Sequence, residues 1–356
     1  KGGARLQAVT EDYGLRLAEA FELASPRASE LLLNAIDTGR ISPNACAIIS
    51  DEAHPSYLDD GDEETELLTQ YLCGEREDDP TAAARRATLC NVLIIIEHAR
   101  TSEPDQVRRE LYVRGCFSQP MHFNLQSNLD EWRAYIVNEL CHVSLEVLLN
   151  ALAYRVNSAI APTAASLADD IASTALGSAH ASTTLFDASR ERKLASLEEE
   201  HELGSELART AASAGAPTDT EIANAVTLLM SLWQRWNGVS EVGHALRPAT
   251  VAGRSALGVF RLFDDVSGHL AVEAIATVVR KFIVSNHLLI AGHKLASAGT
   301  YTYRFIVDDG VLVEGVPAEY DFTNPRIGNL IIFAQDAGLL SQGNLTSKGR
   351  AFLSAV

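Results

Sequence analysis

Residues 129–156 run LDEWRAYIVNELCHVSLEVLLNALAYRV. Trp132, Tyr135, Ile136, Leu140, Val143, Val147 and Leu148 recur in this stretch at spacings of three and four, with no glycine or proline to interrupt them. An α-helix puts residues so spaced on one face, so the stretch predicts the longest helix of the chain, with a wide buried stripe.

The same reading extends outward in both directions. Upstream, Ser25-Pro26 and Asp79-Pro80 each offer an N-cap followed by proline at the first helical position. The first precedes Leu31, Leu32, Leu33 and Ile36. The second opens a helix to about Arg100 with Leu89, Val92, Leu93 and Ile96 on its apolar positions, and Ser102 then caps a short charged helix ending near Arg114-Gly115. Downstream, 157–187 is rich in Ala, Ser and Thr, with Asp169-Asp170 in a short helix. Thr218 or Asp219 caps a helix through Val226, Leu229, Leu232, Trp233 and Trp236 that ends at Asn237-Gly238. Two more apolar helices are expected at about 269–284 and 286–297. The three tryptophans fall on apolar faces and read as anchors between helices.

Only the last sixty residues change character. Residues 300–307 and 311–316 are rich in β-branched and aromatic side chains, and Asp308-Asp309-Gly310 between them is a hairpin signal. Asn324-Pro325 caps a helix that Gly338 stops. Gln342-Gly343-Asn344 marks a turn, and a closing helix follows.

The segment 325–340, PRIGNLIIFAQDAGLL, followed by Asn344-Leu345-Thr346-Ser347-Lys348-Gly349, resembles the second half of a winged-helix module. Such modules commonly place Gly-Leu-Leu after the recognition helix, then a short wing hairpin, then Leu-Thr-x-x-Gly opening the next helix. A second stretch, Ala8 to Ala18, is similar to the same wing-to-helix ending, although Thr10 and Gly14 stand four apart where Thr346 and Gly349 stand three apart. The resemblance implies a partial upstream winged helix at 3–21, with more chain before Lys1.

The expected fold is therefore mainly α: an elongated multi-helix body with a small C-terminal α+β winged-helix module. The expected divisions are 1–24, 25–297 and 298–356, and 157–187 is where the body would split. The winged-helix resemblance implies two uses for the module. One is DNA binding, with Arg326, Lys348 and Arg350 at phosphates. The other is protein docking, which the apolar Ile327, Leu330, Ile331, Ile332 and Phe333 favour, because a groove-facing helix needs Arg, Lys, Asn or Gln aimed at base edges.

The 356-residue chain carries a formal charge of -18, and its first hundred residues hold 9 Lys and Arg against 19 Asp and Glu. That charge repels a phosphate backbone, so nucleic-acid contact is expected only locally or through a partner. The longest unbroken apolar run, 92–96, is far short of a membrane span, and no membrane partner is expected. Five cysteines at wide spacing give neither a zinc pattern nor a disulfide framework, and reduced thiols with no leader-like segment point to the cytoplasm. The acidic loop Asp59-Asp60-Gly61-Asp62-Glu63-Glu64 lacks the ligand spacing of a calcium loop.

The sequence contains no phosphate-cradling glycine loop, nucleophile elbow or zincin helix. Glu-x-x-His occurs at Glu139/His142, Glu198/His201 and Glu241/His244. On a helix this spacing puts carboxylate and imidazole on one face, as di-iron bundles require. With Glu110 and Glu206 upstream, an alternative reading is a di-iron or manganese helical enzyme using Glu110, Glu139, His142, Glu206, Glu241 and His244. The favoured reading has no catalytic residues and no cofactor: an adaptor or scaffold subunit of a bacterial multiprotein complex, one acting on nucleic acid such as a phage-defence or DNA-maintenance assembly, with a protein partner or a second copy of the chain. Its docking element is expected at 188–212, a Glu-rich helix with a thin seam of Leu194, Leu197 and Leu207, or at the acidic face around 59–79.

Overall fold

The structure, a computed structural model, describes residues 14–53, 63–74, 81–113, 123–180, 182–212, 215–250, 255–320, 322 and 326–355. The chain is mainly helical, and the strands among these residues form two small two-stranded sheets near the C-terminus. In chain order the first half runs α1 (Gly14–Ala24), α2 (Pro26–Thr38), α3 (Pro43–Glu52), α4 (Glu63–Leu72), α5 (Ala82–Ala99), α6 (Pro104–Val113), α7 (Phe123–Ser158) and α8 (Ala164–Leu176). Then come α9 (Leu185–Glu191), α10 (Leu197–Ala211), α11 (Asp219–Trp236), α12 (Ser240–Thr250), α13 (Ala256–Val266) and α14 (Ala271–Val278), which continues through a π-helical stretch, Val279–Val284, into α15 (Ser285–Ala298). The end consists of β1 (Ile306–Asp308), β2 (Val311–Val313), α16 (Ile327–Asp336), β3 (Leu340–Ser341), β4 (Asn344–Leu345) and α17 (Ser347–Ser354).

Two compact units result: 1–111 with 118–128 and 326–356, and 112–117 with 129–325. The divisions expected near 24 and 297 are not where these units part. The expected module 298–356 is itself divided, because hairpin β1–β2 belongs to the second unit and α16–α17 to the first. The reason is that the two halves bury their apolar faces on different helices. Ala8 to Tyr13, which carry most of the upstream resemblance, and the calcium-like loop as far as Asp62 lie outside the described residues.

In the first unit α5 is the core element, with Leu89, Cys90, Val92, Leu93, Ile95 and Ile96 all at most 1% exposed. Phe352 and Leu353 of α17 pack against Ala87, Cys90 and Leu125. The side-chain NH2 of buried Asn91 donates to the Leu125 carbonyl (3.1 Å) and to Asn128 Oδ1 (3.0 Å). The caps differ in detail from expectation. Ser25 precedes α2, but its hydroxyl donates to the Glu52 carbonyl (2.9 Å), and the Glu52 carboxylate takes the free N–H of Ala28 instead (3.1 Å). At α6 the cap is the Glu103 carboxylate, accepting from Gln106 N (2.7 Å), rather than Ser102. Asp79-Pro80 lies outside the described residues, and α5 begins after Thr81.

The second unit is built on α7, whose Leu140, Val143, Val147, Leu148 and Leu152 are fully buried. Trp233 and Trp236 are buried as expected, whereas Trp132 is half-buried, with its ring edge-on to Tyr135 at 5.8 Å. Thr218 and Glu221 form a reciprocal capping box at α11. Hairpin β1–β2 is shorter than expected. It is closed by Asp309 (φ 48°) and Gly310 (φ 80°), the pair of positive dihedrals that a two-residue primed turn requires. Two helical stretches are long and apolar enough to cross a membrane by length and composition, Leu125–Ser158 and Ala271–Ala298. Neither contains an unbroken apolar run longer than 92–96, because polar residues interrupt each one. The first is mostly buried inside the protein.

The Glu-rich helix expected at 188–212 to be a docking element with only a thin leucine seam is packed into the second unit. Helix α10 buries Glu200, His201, Gly204, Leu207, Ala208 and Ala211. Its close approach to α7 runs through Gly204, where a Cβ would lie 2.1 Å from Leu140 Cδ2 and 3.5 Å from Leu228 Cδ2. The reading weighed leucines alone, but small residues let backbones approach closely and extend the contact beyond the leucine seam.

Candidate functional site

Beneath α10 lies the most polar part of this core. Glu200, 0% exposed, accepts hydrogen bonds from Tyr112 Oη (2.6 Å), Ser231 Oγ (2.7 Å) and Arg235 Nε (2.8 Å), and Trp236 Nε1 donates to Tyr112 Oη (3.1 Å). Burial, followed by the neighbouring Glu200 charge, holds the Tyr112 phenol well above its ordinary pKa. Buried at Glu200 and Tyr112 and internally paired, this network ties the end of α6 to α10 and α11. The buried thiols are also inert: burial pushes Cys90 up to about 11 and Cys141 up to about 12, far from the thiolate a nucleophile needs.

The open site of the second unit is a cleft of about 860 Å³ along α7, the π-helical stretch and α15. Its volume falls in the range of small-molecule sites. Leu145, Leu149, Phe282, Ile283 and Ile290 make its apolar lining, and Tyr301, Tyr303, Asn138, Asn286 and Lys294 also face it. The six-residue π-helical turn places Phe282 and Ile283 there. Such bulges shift the register of a helix and recur at functional sites.

One wall is the segment leading into β1 and out of β2, held to α7 by a polar lattice. The Arg304 guanidinium donates to Glu146 Oε2 (3.1 Å) and Asn150 Oδ1 (2.7 Å), and Asn150 in turn donates to the Ala318 carbonyl (2.8 Å). On the other side of Glu146, His142 Nε2 lies 3.5 Å from Oε1, and His142 Nδ1 hydrogen-bonds the Tyr320 hydroxyl at 2.7 Å. Burial raises the Glu146 pKa, but the His142 hydrogen bond and the Arg304 charge outweigh it, so the carboxyl sits below its ordinary value. His287 Nε2 accepts the Arg304 backbone N–H at 2.9 Å. Burial, helped by Arg304 and Lys294, lowers its pKa to about 4 despite the opposing pull of Glu146. His287 is therefore neutral near pH 7 with its Nε2 lone pair occupied, and both Glu146 oxygens face cationic or donor groups. Both side chains are thus engaged with their neighbours in the wall of the cleft.

Of the residues singled out from the sequence, only His142 lines this cleft. Glu110 and Glu139 are buried, while Glu206, Glu241 and His244 are exposed. Among the described residues no group of three or more His, Cys, Asp or Glu side chains stands close enough to hold a metal ion. The Glu-x-x-His spacing put partners on one helix face but could not bring the helices' faces together. Glu241, in addition, follows the turn at Asn237-Gly238 and takes a lowered pKa from hydrogen bonds at its own helix start.

Arg326, Lys348 and Arg350 are exposed in the first unit, and Arg350 Nε is paired with Glu97 Oε1 at 3.2 Å. Helix α16 buries Ile327, Ile331 and Ala334 and turns Asn329, Ile332, Phe333 and Gln335 outward. Sequence reasoning missed His287, Arg304 and Lys294. Their joint role depends on Arg304 reaching α7 across more than 150 positions of chain, and no local spacing carries that signal. No family model, curated protein or solved structure matches the chain.

Proposed function

We propose that this chain is a non-catalytic adaptor or scaffold subunit of a cytoplasmic multiprotein complex, and that it docks a protein partner through the outer face of α16. The reading is supported by one observation above all. In the helix that corresponds to the recognition helix of the winged-helix resemblance, Ile332 and Phe333 are 53% and 52% exposed. Large exposed apolar side chains on a short, firmly packed helix suit a protein surface better than a phosphate-lined groove. Arg350, a phosphate contact in the DNA-binding reading, spends its guanidinium on Glu97.

The test compares two variants of the full chain. Ile332→Glu with Phe333→Glu should remove a stoichiometric partner recovered by co-purification and identified by mass spectrometry from the source cells. Reversal of Arg326, Lys348 and Arg350 to Glu should leave that partner in place and leave gel shifts of random duplex at low salt unchanged. Duplex binding abolished by the charge reversal, with no partner lost on changing the apolar face, would transfer the assignment to DNA.

A further inference from the structure

We propose that the cleft along α7 and α15 binds an amphipathic carboxylate, of the class of a medium-chain fatty acid, with its apolar chain against Phe282, Ile290 and Leu145 and its carboxylate at Lys294. Three observations point the same way. The lining is apolar over most of its extent, and the π-helical stretch contributes Phe282 and Ile283 to it. The charged pair Arg304 and Glu146 is engaged with itself and with α7, so neither is the group that takes a ligand's charge.

The balance of charge is the third observation. Arg304 and Glu146 cancel as a pair, which leaves Lys294, an exposed ammonium on α15 that lines the cleft and makes no ion pair among the described residues. His287 senses this balance: two cations, Arg304 and Lys294, act on it against one anion. A net positive cleft in a chain of charge -18 selects an anion locally while the remainder of the protein repels one. A single ammonium beside an apolar trough matches a ligand with one charged end and one apolar body.

The experiment titrates the full chain with dodecanoate, dodecanol and dodecyltrimethylammonium by calorimetry, the two ionic amphiphiles below their micelle concentrations and dodecanol below its solubility limit. Saturable 1:1 binding of dodecanoate is expected, about tenfold tighter than dodecanol, with the cationic amphiphile weakest. Lys294→Met should bring dodecanoate down to the dodecanol level and leave dodecanol unchanged. Ile290→Trp, which fills the trough, should weaken both. Each variant is first checked for the parent melting temperature, and if Ile290→Trp does not fold, Lys294→Met still decides the matter because its side chain is exposed. Absence of saturable dodecanoate binding, equal affinity for acid and alcohol, or an unchanged dodecanoate affinity in Lys294→Met would each overturn the proposal. Failure here leaves the α16 docking reading untouched, since that surface lies in the other unit.

Discussion

Replacing Glu200 with Ala tests whether the acidic helix α10 is a structural member of the protein. The carboxylate is fully buried and accepts three hydrogen bonds, from Tyr112, Ser231 and Arg235. Its removal leaves the Arg235 guanidinium with the Leu194 carbonyl at 2.8 Å as its remaining acceptor in this network, and leaves the Tyr112 hydroxyl receiving from Trp236 with nothing to donate to. Removing one partner of a buried ion pair typically costs about 3–5 kcal/mol, because the other charge stays buried without compensation. For a unit of this size each kcal/mol lowers the melting temperature by roughly 2–4 °C, so a fall of about 6–20 °C is expected.

Glu200→Gln keeps the shape and one acceptor oxygen, and should cost less than the alanine variant. Replacing Arg235 with Met in the Glu200→Ala background should recover part of the loss by removing the stranded charge, and that recovery separates the electrostatic contribution from the cavity. Urea unfolding of the four proteins, read by tryptophan fluorescence, gives the energies, and hydrogen exchange across 197–211 gives the local picture. A cost below about 1 kcal/mol for Glu200→Ala, together with fast exchange of 197–211 in the parent protein, would refute the placement of α10 in the core.

Other consequences concern single positions. Gly349→Ala should destabilise the protein by about 1–3 kcal/mol in the same urea assay, since a Cβ there would lie 2.2 Å from the Leu339 carbonyl oxygen, a backbone atom that cannot step aside. Lowering the pH from 7 towards 4 should reduce stability: His287, held near 4 in the fold against an ordinary 6.5, takes up its proton more readily when unfolded. The full shift corresponds to about 3 kcal/mol, and partial exposure of the ring reduces this to roughly 1–2 kcal/mol. Glu146 acts in the same direction, because its lowered pKa gives stability that is present above the ordinary carboxylate range and lost as pH falls through the folded value. Replacing His287 with Gln should flatten the stability profile between pH 7 and 5, and an unchanged slope would remove His287 as its source.

The helices were legible because their signals are local. Thr218, one of the two caps the sequence offers, caps α11, and the apolar spacing of 129–156 marks the body of α7 correctly although the helix begins at Phe123. What the sequence hid is how faces choose neighbours. In α10 the decisive residues are Gly204, Ala208 and Ala211, which carry almost no hydrophobic weight and signal close approach only once the facing Leu140 is known. Helix α8 shows the same effect: an Ala- and Ser-rich stretch that reads as slack buries Leu167, Ala168, Ile171, Ala172 and Ala175. The cleft was illegible for a related reason, since it depends on long-range pairings such as Arg304 with Glu146.

The C-terminal segment shows where such a resemblance carries information. Thr346 Oγ1 accepts the Gly349 N–H at 3.0 Å as the N-cap of α17 and donates to the Gly338 carbonyl at 2.6 Å. Gly349 has no Cβ because the Leu339 carbonyl occupies that space, and Gly338 takes the positive φ of 70° that ends α16. Each of these residues thus closes a turn or lets two segments touch, and Leu339, Leu340 and Leu345 supply the buried filling. A pattern fixed by closure and packing transfers geometry between proteins without transferring what the outer surface contacts. The function of this segment therefore has to be read from the positions the pattern leaves unspecified. Asn329, Ile332 and Phe333 are such positions, and their exposed apolar pair directs the search toward a protein surface.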